Sequence, residues 1–271
     1  MTKDLPEITN RDISSGLEYL GWENTPAITN SYTDNQGLDG SVYDSTVFSR
    51  SVINARFLLH TSGHYNMQLA RHDIYKIFGT KDLFRIRSDS SPAKVAFVRA
   101  SSFDITPAKE GSKQALITIP FDNPSGYLYS LYPSDTPYLY STNGWQLGMN
   151  LPNKENLSYS FNKNEFRVYN ASDLKIDPYF QKHDLKITMT YEGDSLQLIN
   201  KTNNSNWKIT KELKRNEVVT LDGINTYING KPASTYTDFG NITLDTGWND
   251  IKVIGATYSN ITFSFPFIYL D

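Results

Sequence analysis

The chain contains no cysteine. That absence removes disulfides, thiolate metal sites and cysteine nucleophiles together, so stability has to come from a core or from assembly. Long apolar runs are missing too. No stretch approaches the roughly 20 residues needed to cross a bilayer, and the opening MTKDLPEITNRDISSG lacks the apolar run of a signal peptide. The expectation is a soluble protein made in a cytoplasm, without a membrane partner. Without a secretory signal, the several Asn-x-Ser/Thr triplets, such as those at Asn156 and Asn241, read as chance in an Asn- and Thr-rich chain.

Charge of one sign is also lacking. The 26 basic and 29 acidic residues leave a net charge of −3. There is neither the basic stripe of a nucleic-acid partner nor an acidic tail. No G-x-S-x-G elbow, Walker loop or G-x-G-x-x-G occurs. His60 and His64 have a spacing that would turn both rings to one side of a helix. However, HTSGH crosses a Ser-Gly turn, lacks the Glu of H-E-x-x-H and has no third ligand nearby. Its many Asp residues sit in turn-like stretches, where Asx-turns account for them better than a carboxylate pair does. No catalytic residue, metal or cofactor is expected.

What is present is aromatic and strand-forming. Hydrophobic content of 38%, with 18 Tyr and 14 Phe, is enough for a core of pleated, half-buried surfaces. The first ~45 residues, rich in Asn, Thr, Asp and Gly, read as loop, short strands or an extended arm. In SVINARFLLH, Ile53, Ala55, Phe57 and Leu59 share one face of a strand. Over 66–78, Met67, Ala70, Ile74 and Ile77 recur at helical spacing, widened by Phe78, with Gly79 at the C-cap position. LFRIR, KVAFVRA and QALITIPF then read as strands. The stretch 122–144, with Pro, Ser, Gly and five tyrosines, reads as a docked interdomain junction. The expected domains are 1–135, a β domain with an arm and one helix packed on it, and 136–271, a β-sandwich.

The second half supports that sandwich through short alternating strands about every 8–12 residues. LKITMTY turns Leu185, Ile187, Met189 and Tyr191 inward, and SLQLIN, WKIT, EVVTLDG, TYINGK, NITL, IKVIG and ITFSFPFIYL follow. Asp222-Gly223 and Asn229-Gly230 mark tight turns, the latter of type I′. Phe263, Phe265, Phe267 and Tyr269 line one face of the last strand, and Pro266 sends it to an edge or a bulge. Trp248 falls in the turn-like DTGWND, where Gly247 suits a positive φ and Asn249 and Asp250 suit local hydrogen bonds. Trp22, Tyr32, Tyr43, Tyr129, Tyr132 and Tyr138, in the arm and the junction, are candidate protein-interface residues, because Tyr is enriched at interfaces. Under a carbohydrate-binding alternative, Trp145 and Trp248 are the candidate sugar-stacking residues, although packing is the commoner role of Trp.

Several stretches, in order, are similar to the distal tail (Dit-like) family of long, non-contractile-tailed phages. They are VFSRSVINARFLL, the unit HYNMQLARHDIYKIFGTKDLFRIRSDSSPAKVAFVRASSFDI, ALITIPFDNPSGYLYS, LQLINKTNNSNWKITKEL, TLDGINTYINGKPAS and GNITLDTGWNDIKVIGA, with the aromatic ending FPFIYLD. One departure is Ser172 in NASDLKI, where the family shows the glycine of an Asn-x-Gly turn. The resemblance implies a structural, non-enzymatic virion protein at the tail tip. It implies a homo-hexameric ring of N-terminal domains and outward galectin-like C-terminal sandwiches. The implied partners are the tail tube protein, a tail-associated lysin or baseplate protein, and a receptor-binding protein.

Overall fold

A computed structural model describes residues 7–37, 39–107, 109, 111–138, 144–152 and 157–271. Asn156 of the first triplet lies outside them. The protein is mainly β and divides into two compact units, Met1–Leu128 with Leu270–Asp271, and Tyr129–Tyr269.

In the first unit a short helix α1 (Asn10–Ile13) is capped reciprocally by Thr9 and Asp12. The strands are β1 (Leu17–Glu23), β2 (Ala27–Asp34), β3 (Ser41–Ser49), β4 (Ser51–His60), β5 (Phe84–Ser88), β6 (Ser91–Ala100) and β7 (Gln114–Asn123). They build a sheet in the order β1-β4-β7-β6, with β5 paired to β6, while β2 and β3 form a separate two-stranded ribbon. Alternation in β4 buries Ser51, Ile53, Ala55, Phe57 and Leu59. Their register partners on β7 are the buried Asn123, Phe121, Ile119, Ile117 and Ala115, so one apolar face is assembled pair by pair.

Helix α2 (His64–Phe78) lays Met67, Ala70, Ile74 and Phe78 on the core. Ile77 is only half-buried, and Phe78 takes the anchoring role, its ring 5.6 Å from Phe121 and 5.8 Å from Phe84. The helix starts two residues before the expected 66 because His64 and Tyr65 continue the turn opened at Gly63. Gly79 does occupy the C-cap, in a right-handed conformation (φ −79°, ψ 20°). Glycine suits it for a steric reason: a Cβ there would lie 2.5 Å from the Tyr75 carbonyl oxygen.

The second unit is a β-sandwich. Its two sheets are built from β9 (Ser160–Phe161), β10 (Glu165–Asn170), β11 (Lys186–Glu192), β12 (Leu196–Asn200), β13 (Asn206–Ile209), β14 (Val219–Asp222), β15 (Asn225–Ile228), β16 (Lys231–Pro232), β17 (Gly247–Ile254) and β18 (Tyr258–Ser264), while β8 (Leu128–Ser130) and β19 (Ile268–Tyr269) pair with each other outside both. One sheet runs β10-β17-β12-β13 and the other β16-β15-β14-β11-β18-β9. Trp207 on β13 donates its indole N–H to Thr226 on β15 at 3.3 Å. Phe166 on β10 stacks on Phe161 of β9 at 4.0 Å. Both contacts tie one sheet to the other. Leu185, Ile187, Met189 and Tyr191 are buried as their alternation requires, and Asn229-Gly230 has both φ angles positive (49° and 76°), the type I′ signature.

Two strand expectations are corrected. NITL forms only isolated bridges, Asn206 to Asn241 and Ile176 to Leu244, because Ile242, Thr243 and Leu244 are all buried and cannot alternate. The last strand is broken into β18 and β19 around Pro266, and three buried serines accept the displaced N–H groups. Ser134 Oγ takes Phe265 N (3.2 Å), Ser130 Oγ takes Phe267 N (2.9 Å) and Ser172 Oγ takes Ile268 N (2.9 Å).

Candidate interaction surfaces

The ribbon of β2 and β3 has little to lean on. Along it Ile28, Tyr32, Val42, Tyr43 and Val47 are each more than half exposed. A bulge at Asp44 pairs Tyr32 with Tyr43, and their rings meet edge to face at 6.1 Å. The Tyr43 hydroxyl donates to Thr46 Oγ1 (2.9 Å), which donates to Asn30 Oδ1 (2.6 Å), locking that face. Ser41 donates to Asp34 further along the same face, and Thr33 donates to Asp44 on the other. A lone two-stranded hairpin is marginal in water. The sequence placed Tyr32 and Tyr43 in an arm, and the ribbon sets them side by side.

Trp22 stands apart from them. A bulge at Leu20, followed by Gly21 at φ +137°, sets it opposite Ala55, half-buried near the end of β1. Of the junction tyrosines, Tyr129 is half-buried and Tyr132 partly exposed. Tyr138, half-buried, packs against neighbouring rings. Its ring lies 4.4 Å from Trp145 and 6.3 Å from Tyr159, and its hydroxyl donates to Ser134 O at 2.9 Å. Burial pushes the phenols of Tyr138, Tyr159 and Tyr269 far above their usual range, so all three stay neutral. Tyr138 belongs to an aromatic core with Trp145, Tyr159, Phe265 and Phe267.

Trp145, 2% exposed and donating to Pro137 O at 3.1 Å, has no face left for a sugar ring. Trp248 is half-buried and sits in β17 rather than in the turn before it, paired with Tyr169. The Arg167 guanidinium lies 4.5 Å from its ring centroid and the Tyr169 ring edges it at 4.9 Å, so its platform is already engaged. Gly247 does take a positive φ (82°). Asn249, fully buried, accepts from Asp245 N (2.9 Å) and Asn200 Nδ2 (2.9 Å) and donates to Asp245 O (2.8 Å), which fixes the turn.

Among the described residues no group of three or more His, Asp or Glu could hold a metal. His60 pairs with Gln114 and His64 with Gln68 instead. A cleft of about 610 Å³ opens between the loops after β11 and β13. Within its lining, Arg215 bonds Glu192 at 2.5 Å while lying 4.4 Å over the Tyr258 ring.

One exposed feature escaped the sequence reading. Between β10 and β11, Tyr179 and Phe180 are 55% and 78% exposed, with their rings 4.8 Å apart at 88°. Asp177-Pro178, a turn-opening pair directly before two aromatics, was the signal for it.

Two families match the chain: the phage tail protein RIFT-related domain over residues 15–123 and the phage tail C-terminal domain over 149–263. No curated protein sequence matches. Among solved structures, the fold is similar to the SPP1 Dit (gp 19.1) protein, described as a hub adsorption apparatus paradigm in phages infecting Gram-positive hosts. The TM-score is 0.68 at 10% identity, covering 94% of this chain and 95% of that one. Baseplate chains of phage p2 in its activated conformation also match, with Sr (TM-score 0.40, 10% identity, 93% and 91% covered) and with Ca (0.43, 9%, 94% and 91%).

Proposed function

We propose that this chain, which matches two phage tail domain families and shares the fold of a Dit protein, is a member of the siphophage distal tail (Dit-like) family and the structural hub of a phage tail tip. Copies associate through their first units into a closed ring, a hexamer by family resemblance. The ring joins the tail tube protein to a tail-associated baseplate protein and holds receptor-binding proteins. It is a non-enzymatic scaffold, assembled after synthesis in the host cytoplasm.

The observation that carries this reading is the ribbon of β2 and β3. Five large apolar side chains in more than half-exposed positions on a two-stranded hairpin favour association strongly. Cyclic symmetry lets every copy cover the same surface of its neighbour and then closes. Tyr32 and Tyr43 are the interface residues proposed at its centre, with Tyr132 as a further one.

Mass photometry and light scattering of the purified full chain test the ring. A hexamer or a multiple of it is expected, and a strict monomer at high micromolar concentration would overturn the reading. The carbohydrate-binding alternative now rests on Trp248 alone. It requires calorimetric binding to host-wall polysaccharide that Trp248→Ala abolishes.

A further inference from the structure

A ring closed by head-to-tail contacts needs two unlike surfaces on each copy, one of which covers the other on its neighbour. The ribbon of β2 and β3 supplies the first. Opposed residues share a face, so Ile28 with Phe48, Tyr32 with Tyr43 and Asp34 with Ser41 all stand on one side. That side runs from apolar at its base to acidic at its tip. Residues 24–49 include Asp34, Asp39 and Asp44 but no Lys, Arg or His. Asp34 and Asp44 accept hydroxyl hydrogens from Ser41 and Thr33, and among the described residues neither forms an ion pair.

Helix α2 supplies the second surface. Met67, Ala70, Ile74 and Phe78 face the core. On the opposite side Tyr65 (84% exposed), Leu69 (61% exposed), His72 and Lys76 recur at i, i+4, i+7 and i+11, which makes one exposed stripe. This stripe also begins apolar, and it ends basic. The chain stays cationic around and beyond its end: residues 71–87 hold five Lys and Arg against two Asp, with Arg87 held by Glu7. The two gradients match in span. Ile28 to Asp34 covers about 20 Å of strand, and Tyr65 to Lys76 covers about 17 Å of helix.

We propose that the ribbon of one copy lies along the outer stripe of α2 on the next copy. Ile28 then faces Tyr65, the Tyr32–Tyr43 pair covers Leu69, and the acidic tip meets Lys76. This rests on the ring reading and names the surface that the ribbon meets. A second copy is the occupant because this chain carries both halves, opposite in charge and alike in span, and both are bare in the single chain. Two ribbons facing each other would instead bring three carboxylates of each copy together, which like-charge repulsion opposes.

The test uses the full chain, with oligomer mass read by mass photometry over a dilution series at low ionic strength. Asp34→Lys and Lys76→Asp should each weaken assembly by about fivefold or more, because a like charge replaces an opposite one. The two variants mixed in equal amounts should assemble again, since each brings the half that the other lacks. The double exchange Asp34→Lys/Lys76→Asp in one chain should assemble as well. Leu69→Ser should weaken assembly by about tenfold, as loss of a central apolar contact does, and neither charge variant should rescue it. Melting temperatures should stay at the wild-type value, because all three side chains are exposed. Single variants that assemble like the wild type, or defects that neither the mixture nor the double exchange relieves, overturn this contact and leave the ring reading standing. Unchanged oligomer mass with lost binding of a purified neighbouring tail protein by Lys76→Asp overturns it by assigning the stripe to that protein. A wild type that stays monomeric at high micromolar concentration takes down the contact and the ring together.

Discussion

Ser172 takes a role that no glycine could fill. Its N–H is held by Asn170 Oδ1 at 3.0 Å, and its hydroxyl, 3% exposed with the rest of the residue, accepts the Ile268 N–H. Its φ is not positive, so the Asn-x-Gly pattern is not needed for the turn. Ser172→Gly should therefore destabilise the second unit by about 1–3 kcal/mol, because a buried N–H loses its acceptor. Urea unfolding measures this, and an unchanged or raised midpoint would refute the assignment. His183 gives a pH dependence of definite sign. Burial lowers its folded pKa, outweighing the Lys175 carbonyl and the carboxylates of Asp177 and Asp184, so the unfolded chain binds the proton more readily. Its contribution is complete above the unfolded value of about 6.5, and is lost as pH falls from there toward the lower folded value. The urea midpoint should drop across that window more in the wild type than in His183→Gln.

At the level of elements, the legible parts were those whose side chains repeat with a backbone period. β4, β11 and the buried stripe of α2 were read from alternation or helical spacing, and each buries the residues its period selects, except that Phe78 replaces Ile77 at the end of the helix. Failures came where the period carried no information. Residues 242–244 are buried in succession, and Pro266 breaks a strand whose aromatic face continues through the break. The exposed aromatic pair at 179–180 was missed because a display loop has no period. The same contrast locates the weakest substitution in the first unit. Phe121 joins β7 to α2 through Phe78 and to β5 through Phe84 (6.5 Å). Phe121→Ala should cost about 3–5 kcal/mol, visible as a large fall in melting temperature. A loss under about 1 kcal/mol would mean that this contact does not hold the helix.

For the molecule as a whole, the order of elements was readable, but association was not, since no residue pattern states how many copies meet. The ribbon is the test point. Tyr32→Ser/Tyr43→Ser should weaken the oligomer tenfold or more, measured by mass photometry across a dilution series. Melting of the units should scarcely change, because both rings are more than half exposed in the single chain. A variant that assembles like the wild type would move the ring contact elsewhere.

The serines that flank Pro266 also set a schedule. Ser130 Oγ meets the Phe267 N–H across 137 residues of chain, and Ser134 Oγ meets Phe265 N across 131. Contacts of such separation form late, because the intervening chain must be gathered first. During synthesis, residues 129–134 therefore wait with their polar groups in water while more than a hundred residues emerge behind them. The sandwich cannot close until the ribosome has delivered Ile268. The order of manufacture and the order of completion run opposite ways in this unit: the segment made first is among the last to find its place.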